Sequence, residues 1–257
     1  MLGKLLKYEI PALGRKLLPL YIGWAAAAAL LGIAIGPAAS KSDFMVVITG
    51  MLYVAVSTAV LVMSVILIIQ RYKNSLLGDE GYFNHVLPVT TSEHIASKGL
   101  SALIWVLLSG VIMMLTGIII AICSGQLGLV TDDLLSLIRE MTSRMSGNEW
   151  LILLELFLLG ALNITKSVLA IYAALTIGHQ AQSHITLVSI VAFIGLMILE
   201  TTAARTDYGI WPNFFSEFDV LYDFHKFFLG SLIITVLLGG IYFFICKYLM
   251  EKKLNLA

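Results

Sequence analysis

Charge is what this chain carries least of. Its 257 residues include 16 Lys and Arg and 16 Asp and Glu, 12% in all, with a formal net charge of zero. Soluble domains carry about 25% charged residues, whereas 59% of this sequence is hydrophobic. The missing charge leaves apolar runs of about twenty residues or more, which excludes an ordinary soluble domain and marks membrane-spanning helices. A neutral chain also offers no basic surface to nucleic acid. Cysteine is scarce: Cys123 and Cys246 fall near the ends of different apolar runs. On the topology derived below they lie on opposite sides, which excludes a disulfide between them. Catalytic signatures are absent too. There is no GxxxxGKS or GxxxxGKT phosphate loop, no HExxH and no GxSxG, so the chain brings no ATPase, zinc-peptidase or hydrolase motif of its own. His85 with His94, and His179 with His184, are spaced nine and five apart. Neither spacing shares a helical face, so neither pair makes a metal site and the histidines read as polar loop residues.

What is present is an all-α, polytopic pattern of six spans in one transmembrane domain, 1–257. Residues 2–17 form an interfacial amphipathic helix, with Leu2, Leu5, Leu6, Ile10, Leu13 and Leu17 at helical spacing and Lys4, Lys7, Arg15 and Lys16 elsewhere. Pro11 is expected to kink or split it. The stretch mimics a secretory leader, but its long charged lead-in and spanning-length apolar run read as a retained first helix. Span one covers about 18–39 and ends at Gly36-Pro37; span two covers about 44–70 without a charge. The polar interval 71–98 then separates it from span three, about 99–124. A short amphipathic helix is expected next on the outer surface, N-capped at Thr131, Asp132 or Asp133 and carrying Leu134, Leu135, Ile138, Met141 and Met145. Span four covers about 150–178, span five about 185–204 and span six about 229–246. Between the last two lies 205–228, in which nine of twenty-four residues are aromatic. Aromatic rings favour the headgroup level, so this interval reads as an outer re-entrant or interfacial segment.

Six spans put both termini on one side. That side carries Lys4, Lys7, Arg15, Lys16, Arg71, Lys73, Lys98, Lys247, Lys252 and Lys253, ten cations against Lys41, Arg139, Arg144, Arg205 and Lys226 on the other. The excess of Lys and Arg places both termini and the 71–98 loop in the cytoplasm.

Two groups of residues stand out as candidates. Within the spans, Lys166 lies near the middle of span four, where a charge costs on the order of 3 kcal/mol to insert. Asn163 shares its face one turn away. Glu155 is eleven residues earlier, roughly 16 Å along the axis, too far to pair directly, and Glu200 is placed to meet Glu155 or another helix. Each of these four reads either as lining a cavity or as an interhelical polar contact. In the loop, Gly78-Asp79 ends the extension of span two and starts a short helix containing Glu80, Tyr82, Phe83, Asn84 and His85, which Pro88 ends. Thr90 and Glu93 form a capping box that launches the helix into span three. Tyr82 and Phe83 read as exposed aromatics of a docking surface, or as a self-packed turn against the membrane interface.

The loop sequence GDEGYFNHVLPVTTSEHIASKGLSALIW resembles the acidic-aromatic-Leu-Pro segment of type-2 ATP-binding-cassette (ABC) permeases. The interfacial N-terminal helix, six spans in about 250 residues and the aromatic segment before span six are similar to that family as well. The resemblance covers the chain in architecture and this one loop in sequence. It implies a permease subunit of a bacterial exporter in the cell membrane, and a coupling helix at about 79–86 docking a separate cytoplasmic ATPase. It also implies a dimer with a second permease copy or paralogue, ATP and Mg bound only by the ATPase, and no cofactor or catalytic residue in this chain. The small permeases most like it export amphipathic peptides or hydrophobic antimicrobial compounds. Two other readings stand beside it: an ion-gradient-driven secondary transporter, which wants an inverted repeat and midplane carboxylates, and a sensor or immunity membrane protein.

Overall fold

A computed structural model describes residues 2–36, 43–78, 89–144, 147–181, 184–210 and 220–252. Every regular element among them is helical. In chain order these are α1 (Leu2–Ile35), α2 (Asp43–Tyr72) continuing into a π-helical turn (Lys73–Leu77), α3 (Thr91–Cys123), α4 (Leu127–Arg144), α5 (Gly147–Gly178), α6 (Ile185–Ile210) and α7 (Val220–Lys252). Six of these, all but α4, are long and apolar enough to cross a membrane. The chain is a multi-pass helical membrane protein by that measure.

Two compact units make up the chain. One comprises Ile10–Ile68 and Ile104–Met145. Its core is Leu13, Leu17, Tyr21 and Trp24 of α1, Val60 and Leu67 of α2, and Trp105 of α3. The polar tips of these aromatics reach partners inside the unit, as buried rings with a polar edge require. Tyr21 shares a 2.7 Å hydrogen bond with Ser109, Trp24 Nε1 donates to Ser57 at 2.7 Å, and Tyr53 meets Thr116 at 2.9 Å. Where apolar surface cannot drive helices together against lipid, such bonds and close packing of small residues do. Gly14 and Gly32 permit that approach: a Cβ at Gly14 would lie 2.7 Å from the Trp105 ring, and one at Gly32 2.6 Å from the Cys123 Cβ.

The other unit comprises Met1–Glu9, Ile69–Leu103 and Ser146–Ala257. Here α5 contacts both α6 and α7. Tyr72 and Tyr172 stack with centroids 3.8 Å apart and planes 8° from parallel, and both are buried. The Tyr72 hydroxyl reaches Thr176 at 2.9 Å and Met250 Sδ at 3.7 Å.

Several boundaries depart from the sequence expectations. Of the kink or split expected at Pro11, the split is absent, for α1 runs as one helix through Pro11 and Pro19. Tertiary anchoring supplies the reason: Glu9 is held just before Pro11, while Leu13 and Leu17 just after it are buried and Trp105 Nε1 donates to the Ile10 carbonyl at 3.1 Å. Helix α2, by contrast, extends past Gln70 through its π-turn to Leu77 and stops at Gly78, where its extension was expected to end, with Ser75, Leu76 and Leu77 buried. Helix α4 starts at Leu127, before the Thr131–Asp133 cap. Gly125, at φ 72°, closes α3 in a Schellman turn in which Gln126 N–H reaches the Ala121 carbonyl and Gly125 N–H that of Ile122, both at 3.1 Å. Val130 N–H then bonds to the Gln126 carbonyl, so the new helix begins at once, and Thr131 donates its hydroxyl to Gly128 instead of capping. Of the aromatic interval 205–228, residues 205–210 end α6 and 220–228 begin α7; 211–219 lie outside the described residues.

Candidate functional site

The proposed docking residues Asp79, Glu80, Tyr82, Phe83, Asn84 and His85 lie outside the described residues. The two stems that carry them are described, and each is anchored. On the far stem the capping box is in place: Glu93 N–H donates to Thr90 Oγ1 at 3.3 Å and Thr90 N–H to Glu93 Oε2 at 3.2 Å. The Glu93 N–H also reaches the Thr90 carbonyl at 3.0 Å, so the box supplies the Thr90 N–H with its acceptor and Glu93 N–H with a second one.

Between the stems sits Glu9 of α1, a carboxylate only 8% exposed. Arg71, in the last turn of α2, grips it with two bonds, Nε to Oε2 at 2.9 Å and Nη2 to Oε1 at 3.2 Å. Lys98 of α3, 3% exposed, donates to Glu9 Oε1 at 2.7 Å and to Ser75 Oγ of the π-turn at 2.8 Å. One acid thus binds the end of α2, the π-turn and the start of α3 to α1. Charge-assisted and two-pronged bonds are the stronger class, and here they operate with little water. The Lys98 carbonyl in turn accepts from the Tyr172 hydroxyl at 3.4 Å, which joins α5 to the same cluster. His94, expected in a loop, is a buried residue of α3.

The four candidates within the spans separate into two sites. Lys166 is 7% exposed and donates to Asn163 Oδ1 at 2.9 Å. Its second partner is Glu200 of α6, in an ion pair through Oε1. Asn163 is fixed by its own bond to the Leu159 carbonyl at 3.0 Å. Of the two contacts expected for Glu200, with Glu155 or with another helix, it makes the second kind, to Lys166 of α5, and does not meet Glu155. Glu155 instead meets His225 of α7, with Nδ1 2.9 and 3.0 Å from the two carboxylate oxygens. These two, with Lys226, Phe228, Leu229 and Leu232, line an open recess of about 350 Å³.

Sequence reasoning found Lys166 and Asn163 because both sit on one helix, and it missed Glu9, Arg71, Lys98, Ser75 and His225. A signal for Glu9 existed. It is the sole acid in the first forty-two residues, and it falls on the stripe formed by Leu2, Leu5, Leu6, Leu13 and Leu17, away from Lys4, Lys7 and Arg15. An acid on the apolar face requires a partner from elsewhere in the chain.

Compared with family models, with curated proteins and with solved structures, the chain finds no match.

Proposed function

We propose that this chain is the permease subunit of a bacterial ABC exporter, working as a dimer with a second copy or a paralogue. On this reading a separate cytoplasmic ATPase docks on residues 79–86, binds the ATP and Mg, and drives export of amphipathic peptides or hydrophobic antimicrobial compounds across the cell membrane. Both termini face the cytoplasm, the start of α1 rests in the membrane interface, and the aromatic segment before α7 lies at the outer face. The chain itself catalyses nothing. The observation that carries the reading is the Glu9 cluster. A polar loop between two spans has no need to be tied, through one buried acid, to the end of α2, the π-turn, the start of α3 and α1. A loop that receives a push from a partner does, because a stroke is transmitted only if the stems move together with the spans.

The test is co-expression with candidate ABC ATPases encoded in the same genome, beginning with any in a neighbouring reading frame. The wild-type chain is expected to co-purify with one of them and to stimulate its hydrolysis, and the Tyr82→Ala, Phe83→Ala double variant to lose stimulation. Normal stimulation by the double variant would overturn the docking assignment. The Lys166–Glu200 pair within the spans favours an ion-driven transporter instead, and transport by the purified chain alone under a proton or sodium gradient would establish that alternative.

A further inference from the structure

Among the described residues, α4 is the one long helix not suited to crossing a membrane, and its surroundings are unusual. From Leu127 to Ser143 every residue but the half-buried Val130 is exposed. At 100° per residue, Leu127, Val130, Leu134, Leu137, Ile138 and Met141 fall within one arc, which Leu135 widens to about 160°. Asp132, Asp133, Arg139 and Glu140 all fall on the opposite arc, with Ser136 and Ser143 at its centre. An unsupported helix of this length, with only ordinary helix formers, is marginal in water. Its stability has to come from covering the apolar arc, and no described part of its own unit does so, since Leu134, Leu135, Leu137 and Ile138 are 48–55% exposed.

We propose that the apolar arc of α4 is a docking surface for the bilayer itself, and that it holds the helix flat in the interfacial zone without preference for anionic lipid. Continuity with the spans identifies the occupant. The membrane-length helix α3 ends at Cys123, and the membrane-length helix α5 begins at Gly147. Only three residues separate Cys123 from Leu127, and two separate Arg144 from Gly147, so both ends of α4 are tethered where spans leave the hydrocarbon. The Schellman turn at Gly125 ends α3, so α4 starts as a separate helix rather than as its continuation. Charge sets the lipid class. Asp132, Asp133 and Glu140 against Arg139 and Arg144 leave one net negative charge. Attraction to anionic headgroups therefore contributes nothing, and binding rests on apolar insertion about 5–10 Å below the headgroups. The basic start of α1, with Lys4, Lys7, Arg15 and Lys16, has the opposite character.

The experiment uses the full chain in nanodiscs of phosphatidylcholine, with and without phosphatidylglycerol. In a Cys123→Ser, Cys246→Ala background, nitroxides are attached singly through Leu134→Cys, Ile138→Cys, Ser136→Cys and Ser143→Cys, and relaxation by oxygen is compared with relaxation by a water-soluble nickel chelate. The expected result is several-fold greater oxygen than nickel accessibility at 134 and 138, the reverse at 136 and 143, and the same contrast in both lipids. The unmodified chain supplies a second measurement: a lipid-borne diazirine should insert into 134–141, and a water-soluble one should not react on the apolar arc. Equal nickel access on both arcs would overturn the proposal, as would exclusion of both reagents from 134 and 138, which would mean that a second copy or another protein covers the face. A contrast seen only with anionic lipid would overturn the lipid class.

Discussion

Replacing Lys166 by Met separates two roles that a buried charge within a span can have. Lys166 and Glu200 are paired across α5 and α6, and the lysine also holds Asn163. The Lys166→Met change leaves the Glu200 carboxylate, whose side chain is 23% exposed, without its counter-charge. Removing one partner of a buried pair typically costs about 3–5 kcal/mol, because the other charge is left uncompensated. The partial exposure of Glu200 argues for the lower end, about 3 kcal/mol. For a chain of this length each kcal/mol shifts the melting temperature by about 2–4 °C, so the loss is about 6–12 °C. The double variant Lys166→Met, Glu200→Gln has no orphaned charge and should return to within about 1 kcal/mol of the parent, since a buried pair is often replaceable by neutral residues of similar size. The coupling energy is then about 2 kcal/mol or more, far above the roughly 0.5 kcal/mol expected of independent sites. Thermal unfolding in mixed micelles, with the two single variants and the double variant run together, measures it. Additive losses, or single variants within about 0.5 kcal/mol of the parent, would refute the pairing. A double variant that is stable yet inactive in transport would assign the charges to the pathway rather than to the fold.

Other consequences follow from individual contacts. Glu9→Gln removes the charge that Arg71 and Lys98 share; hydrogen exchange at 69–78 and 91–98 should rise several-fold while the rest of the chain is unchanged, and uniform exchange across the chain would contradict the cluster's local role. Gly14→Ala places a Cβ 2.7 Å from the Trp105 ring and should cost about 1–3 kcal/mol in thermal unfolding, whereas Gly110→Ala, with nothing within 4 Å, should be neutral or better. Thr90→Ala deletes the cap of α3 and should cost about 0.5–2 kcal/mol, with faster exchange confined to the first turn after Thr91.

What could be read from the sequence was local or repeated. The spans were legible because each is a long apolar run with few or no charges, and the Thr90–Glu93 box because its partners are three residues apart. The Lys166–Asn163 contact was legible for the same reason. The Glu9 cluster was not, because its partners lie 62 and 89 residues away and the four lysines and arginines around the acid disguise it as part of a basic lead-in. The pairing of Glu155 with His225, 70 residues apart, was hidden likewise. The start of α4 was misplaced because three cap-forming side chains at 131–133 outweighed Gly125, whose left-handed turn restarts the helix earlier. The extension of α2 beyond the uncharged run was legible in Gly78, where it stops; the stacked Tyr72 and buried Leu76 that hold it are long-range contacts and were not.

The central claim is that an ATPase acting on the 71–98 loop powers transport through these spans. Reconstitution of the chain with its ATPase in proteoliposomes, with uptake or release of an amphipathic peptide as the readout, tests it most directly. The account predicts transport only with hydrolysable ATP, lost in the Tyr82→Ala, Phe83→Ala variant while the ATPase alone still hydrolyses at its basal rate. ATP-independent transport by the chain without the ATPase, driven by a proton or sodium gradient, would contradict it.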